Sequence, residues 1–137
     1  MKLSIRKSDL QAALTCAASK DTRYYLIGVN LEFIPNDDGG ILTFVGTDGH
    51  MMFAGTAPAV FDDGEQTAPF NIIIPSDAIK SACKNSGSLP CVTLAAMDDG
   101  RYILGDTVFT AIDGKYPDYR RIIPSACDGA NVLVELR

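Results

Sequence analysis

One order of elements occurs twice in this chain. Lys2-Leu3-Ser4-Ile5-Arg6 alternates polar and apolar residues like a short strand, and Ser8-Asp9 follows; Asn71-Ile72-Ile73-Ile74-Pro75 is a second strand-like run, followed by Ser76-Asp77, 68 residues after the first pair. Serine can cap a free helical amide, and aspartate in the first turn suits the positive end of the helix dipole. Gln11 stands where a capping box needs it. The first helix is predicted from Ser8 to near Ser19, with Leu10, Ala13, Leu14 and Ala17 inward; the second turns Ala78, Ile79, Ala82 and Cys83 inward and leaves Lys80 and Lys84 outside.

Three strand-like segments follow each helix. After the first they are Tyr24 to Phe33, about 41–47 and about 50–56; after the second, about 91–96, 101–105 and 107–112. The intervening stretch from Ala57 to Phe70 holds prolines and an acidic run, and reads as a seam between halves of about 1–57 and 70–124. The expected fold is α+β, a duplicated β-α-β-β-β unit with two helices side by side on one face of antiparallel strands from both halves.

Within the first half, Thr47-Asp48-Gly49-His50 lies between apolar runs. Asp-Gly in that setting is a strong hairpin signal, because glycine accepts the positive φ of a tight turn. The only histidine of the chain follows that turn.

With 137 residues, 47% of them apolar and 21% charged, the chain has the material for one globular domain. No apolar run approaches the roughly 20 residues of a membrane helix, and Met1 to Arg6 lacks the apolar centre of a signal peptide. Cys16, Cys83, Cys91 and Cys127 have no C-x-x-C spacing, so free thiols and a cytoplasmic location are expected. A net charge of −5 excludes a generally basic nucleic-acid binder and requires any such contact to use a local basic face.

Catalytic signatures are missing. There is no nucleophile elbow, Walker loop or dinucleotide fingerprint, and one histidine with scattered cysteines makes no metal-ligand set. Asp48 and His50 have no nucleophile or phosphate cradle near them in sequence. A non-catalytic protein without cofactor is expected. Binding remains: Lys7, Lys20, Arg23, Lys80 and Lys84 all lie on or beside the two helices, opposed only by Asp9, Asp21 and Asp77. Such a face suits a sequence-independent approach to phosphates, with Tyr24 and Tyr25 available for stacking.

Three stretches carry a family resemblance: Thr22-Arg23-Tyr24-Tyr25-Leu26-Ile27-Gly28, Thr47-Asp48-Gly49-His50, and Asp113-Gly114-Lys115-Tyr116-Pro117-Asp118-Tyr119-Arg120-Arg121-Ile122-Ile123-Pro124. In order and spacing the chain resembles the central domain of the bacterial sliding clamps, the DNA polymerase III beta subunits. The resemblance implies the DNA-clamp (processivity) fold, with helices lining a ring and sheets outside. It implies a processivity factor of DNA replication that encircles double-stranded DNA. It also implies a pocket for the short apolar motifs of the polymerase III catalytic subunit and the clamp loader. Carried over by position, that pocket would use Leu26, Thr47, Gly49, His50, Met51, Met52, Pro117, Arg121 and Ile122. The DNA-contacting residues would be Lys20, Arg23, Tyr24 and Tyr25, joined by Lys80 and Lys84 of the basic face.

Two departures from the family pattern matter. Met51-Met52 stands where the family commonly has Arg-Leu, which trades a charged rim for a softer groove. The family subunit has three such domains, so ring closure would need neighbouring clamp domains or a homo-oligomer. Residues 125–137 read as the start of a following segment. The second reading is a stand-alone clamp-like module, of the kind a mobile element carries, that binds peptide or DNA without forming a ring.

Overall fold

The computed structural model describes residues 2–20, 23–61 and 68–119, together with the backbone of 132–135. Along the chain run β1 (Lys2–Arg6), α1 (Lys7–Cys16), β2 (Gly28–Ile34), β3 (Ile41–Thr47), β4 (Met51–Pro58) and β5 (Val60–Phe61). There follow β6 (Phe70–Pro75), α2 (Ser76–Asn85), β7 (Cys91–Ala96), β8 (Tyr102–Leu104), β9 (Thr107–Phe109) and β10 (Val132–Glu135). The repeated order is present, and the fold is α+β.

The strands divide into two five-stranded antiparallel sheets, β5-β1-β7-β8-β9 and β10-β4-β3-β2-β6. The cause is an exchange of first strands. β1 leaves its own half and pairs antiparallel with β7, Ser4 opposite Thr93, while β6 pairs with β2, Asn30 opposite Ile73. Each meander therefore takes its edge partner from the other half.

The same exchange explains the helix starts. Neither serine caps: α1 begins one residue early, at Lys7, and the residues before the helices, Arg6 and Pro75, make no side-chain cap. Instead the Lys7 N–H donates to the Pro90 carbonyl (2.9 Å), just ahead of β7, and the Ser76 N–H donates to the Ile27 carbonyl (3.2 Å), just ahead of β2. A neighbouring chain end supplies at each helix the acceptor that a serine would otherwise provide. Arg6 Nε reaches Asp9 Oδ2 at 3.1 Å across the first turn of α1.

α1 ends at Cys16, short of Ser19. Lys7 is not part of the outer basic face; its side chain is buried and Nζ donates to the carbonyls of Cys83 (3.4 Å) and Gly87 (2.8 Å) at the end of α2, where the helix dipole favours a cation. The first strand after α1 begins at Gly28, not Tyr24. Tyr24–Leu26 forms a 3-10 turn in which Leu26 N–H donates to Arg23 and Ile27 N–H to Tyr24. That turn is locked when Ala18 N–H donates to the Leu26 carbonyl (3.0 Å) and the Leu26 side chain enters the core. β8 and β9 are shorter than expected, and the chain then crosses to the other sheet, where Ile112 N–H meets the Ile73 carbonyl (3.0 Å).

Two cores result. The larger lies between the sheets and helices: Leu3 and Ile5 of β1, Leu10 and Ala13 of α1, Val29, Leu31 and Phe33 of β2, Phe44 of β3, Ile79 of α2 and Leu94 of β7. The alternating residues of the second sheet point the other way, and there Val45, Met52, Ala54 and Ile73 meet Leu26, Tyr116 and Tyr119. Val132–Glu135, expected to lead into a following segment, pairs with β4, Val134 opposite Met52. Cys16, Cys83 and Cys91 carry free thiols; Cys127 lies outside the described residues. No helix among the described residues is long and apolar enough to cross a membrane.

Candidate functional site

The three sequence stretches that carry the resemblance converge on the outer face of the second sheet. The centre is the turn between β3 and β4, which is braced by its own side chains. Asp48 Oδ1 accepts from the backbone amides of His50 (2.8 Å) and Met51 (2.9 Å). The Thr47 hydroxyl donates to the Met51 carbonyl (2.6 Å) and accepts from the Gly49 amide (3.1 Å). The amides of Met51 and His50, with the His50 ring nearby, hold the Asp48 carboxyl below its ordinary range. Gly49 has φ +93°, which is why glycine stands here. The result is a rigid turn that presents an exposed imidazole, His50, and a half-buried Met51.

The other two stretches close on this turn. The Arg23 guanidinium lies over Gly49, so close that a Cβ there would be 2.8 Å from Nη2. Tyr25 packs against Gly114, whose Cβ position is 3.1 Å from the Cβ of Tyr25. Tyr116 is buried, and its hydroxyl donates to the Val45 carbonyl (3.3 Å); burial keeps its phenol protonated well above the usual range. Tyr119 donates to Glu32 (2.7 Å). Pro117 sits between these two anchors, exposed, on the rim of a cleft of about 560 Å³ floored by Asn30, Ile73 and Glu32.

Of the residues expected in a peptide pocket, the structure brings Leu26, Thr47, Gly49, His50, Met52 and Pro117 to this one side of the sheet, while Met51, next to Met52 on β4, alternates toward the other face. Leu26, Thr47 and Met52 are no more than 1% exposed and fill the second core, leaving His50, Met51, Gly49 and Pro117 with accessible surface. Arg121 and Ile122 lie outside the described residues. Tyr116, Tyr119 and Asp48, which position these groups, were not singled out as site residues. The Tyr-Pro-Asp-Tyr spacing was the available signal, since it sets two aromatic anchors around a rigid proline.

Of the expected DNA-contacting residues, Arg23 and Tyr25 are held against Gly49 and Gly114 of this cluster, while Lys80 and Lys84 lie apart on α2. Lys20, Arg23, Tyr24, Lys80 and Lys84 are exposed, with Tyr24 57% accessible, and Tyr25 is half-buried with its ring edge-on to Tyr24 at 6.1 Å. Lys80 and Lys84 flank a shallow groove between α1 and α2 that Gln11 and Leu14 complete. Among the described residues no group of three histidine, cysteine or acidic side chains is placed to hold a metal ion.

Comparison with known proteins agrees with this fold. No protein-family model matches the sequence. The chain is 34% identical over 111 residues to the beta sliding clamp of Vibrio cholerae, covering 78% of this chain and 28% of that protein. It is 29% identical over 123 residues to the beta sliding clamp of Escherichia coli K12, covering 87% of this chain and 31% of that one. The crystal structure of the DNA polymerase III subunit beta from Pseudomonas aeruginosa superimposes with a TM-score of 0.69 at 26% identity, over 93% of this chain and 36% of that one. The chain spans about a third of the length of these relatives. In sequence and in fold, then, this chain resembles a single domain of the bacterial beta sliding clamps.

Proposed function

We propose that the chain acts as a clamp domain in DNA replication, a non-catalytic processivity element in the cytoplasm that keeps a polymerase on duplex DNA. One observation carries the reading: the braced Thr47–Met52 turn, Arg23 and the Tyr116–Pro117 segment are drawn together by direct contacts from three distant parts of the chain. A turn that rigid costs little entropy on binding, which suits recognition of a short apolar motif. His50 and Pro117 form the accessible rim, with Met51, Arg121 and Ile122 assigned to it from sequence. Leu26 and Met52 support it from beneath. Lys20, Arg23, Tyr24, Tyr25, Lys80 and Lys84 approach the DNA backbone without reading sequence, and the polymerase III catalytic subunit and the clamp loader are the peptide-bearing partners. Closure around DNA uses further clamp domains or a homo-oligomer.

The experiment is a titration of the 137-residue chain against a fluorescent peptide bearing a clamp-binding motif, read by anisotropy. Saturable binding that weakens about tenfold in His50→Ala supports the reading, since exposed His50 can be removed without disturbing the core. Equal affinity in the variant removes the pocket assignment. Leu26→Asp is unsuitable, because a carboxylate at a fully buried position breaks the fold itself.

A further inference from the structure

Charge is divided unevenly along this chain. From residue 24 to residue 79 there are eight carboxylates and no lysine or arginine, a formal −8, against nine carboxylates and twelve basic residues, +3, in the rest. That acidic stretch builds four of the five strands of the second sheet.

At one end of the same sheet an apolar row is left open. Ile34 of β2 stands directly opposite Ile41 of β3, and Ile41 directly opposite Pro58 of β4, so the three side chains share one face across three strands. Register places them on the outer face, two residues along from the row Glu32, Thr43 and Thr56, and beyond the cover that Tyr116 and Tyr119 give to Val45 and Ala54. Ile34 is 44% and Ile41 43% accessible, and Pro58 is exposed. Val60 adjoins them, 56% accessible, where the Ala59 amide binds the Gly40 carbonyl (2.9 Å). Two of the six large apolar side chains most exposed among the described residues thus stand side by side at one sheet end. Asp37 and Asp38, exposed in the adjoining turn, border the row.

We infer that this row is a docking surface for a cationic protein segment that carries aliphatic anchors. Contiguous exposed apolar groups mark interaction sites. The neighbouring charge selects the occupant: Asp37 and Asp38 in the adjoining turn and Glu32 one row along, on strands that carry no lysine or arginine, repel nucleic acid and a second copy of the same face and steer lysine- or arginine-bearing segments toward the row. The inference is independent of the peptide site at Thr47–Met52, which lies at the opposite end of β3 and β4.

The test uses the 137-residue chain and a fluorescein-labelled octapeptide of alternating leucine and lysine. Its affinity is compared with that of a peptide of equal charge in which serine replaces leucine. Saturable binding is expected, at least about tenfold weaker for the serine peptide and for the chain carrying Ile34→Ser with Ile41→Ser. Both isoleucines are already well exposed, and circular dichroism checks that the double variant is folded. A second variant, Asp37→Asn with Asp38→Asn, is expected to weaken binding and flatten its salt dependence. NMR amide shifts are expected at residues 33–34, 41–42 and 59–61. Equal binding of the serine peptide, unchanged affinity in the isoleucine variant, or shifts confined to 47–52 would overturn the inference. So would self-association of the chain that the isoleucine variant abolishes, which would make a second copy the occupant.

Discussion

Gly46 of β3 faces the Ala13 carbonyl of α1 with no room between them: a Cβ on Gly46 would overlap the Ala13 carbonyl oxygen and carbon. This contact sets how closely the first helix seats on the second sheet, and hence the start of the Thr47 turn one residue later. Gly46→Ala is expected to cost about 3 kcal/mol or more, because the neighbour is helix backbone and cannot move aside. Urea denaturation of the variant checks it, and a loss under about 1 kcal/mol would mean that the helix lifts freely.

Asp48 stabilises its turn as a carboxylate. Its folded pKa is lowered by the Met51 and His50 amides, so its contribution is present above the ordinary value of 3.8 and disappears as pH falls through the lower folded value. Asp48→Ala is expected to lose about 1 kcal/mol at pH 7. The gap between variant and parent should close in strong acid, a trend that urea midpoints measured from pH 7 downward would show. A constant gap would place the effect elsewhere than the charge.

Asn30 is fully buried on the outer face between Val45 and Ile73, and among the described residues neither Oδ1 nor Nδ2 has a hydrogen-bond partner. A buried amide without partners is a standing cost. Asn30→Leu is therefore expected to raise stability by about 1–2 kcal/mol, readable as a higher melting temperature. A fall in melting temperature would show that the amide is satisfied in solution.

Tyr116 keeps its proton because burial opposes the phenolate. Its folded pKa is raised, so the stability it lends is full below the ordinary value of 10.0 and declines as pH rises above it. Tyr116→Phe is expected to cost about 1 kcal/mol at neutral pH through the lost bond to Val45, and to make unfolding less steep in alkali. Thermal melts of both proteins between pH 8 and pH 11 or so compare the slopes; parallel curves would count against burial as the cause.

Much of this architecture can be read from local pattern. The helices over Leu10–Ala13 and Ala78–Ala82 follow from spacing, and the turn at Asp48-Gly49 from turn chemistry. The strand exchange cannot be read that way, because nothing near Leu3 announces Leu94 as its partner. The helix starts were misjudged for the same reason: the Pro90 and Ile27 carbonyls that replace the serine caps come from distant segments. Tyr24–Leu26 reads as the start of the strand that runs to Phe33, yet packing of Leu26 bends it into a 3-10 turn. At the candidate site, the positions were legible and the depth was not. Leucine and methionine suit a groove floor and an interior equally, and only the tertiary arrangement puts Leu26 and Met52 inside.

The exchange of first strands also governs the order in which the molecule can be assembled. During synthesis β1 precedes its main partner β7, which begins only at Cys91, so until then β1 can pair only with the two residues of β5. Until then β2, β3 and β4 can form a meander, and β6 can complete it as soon as Pro75 is clear. Four strands of the second sheet can thus pair early, while the first sheet waits for β7 and the second for its last strand, β10. A ribosome stalled before Cys91 would carry β1 with one edge still open, the edge that Leu94 and its neighbours on β7 later close.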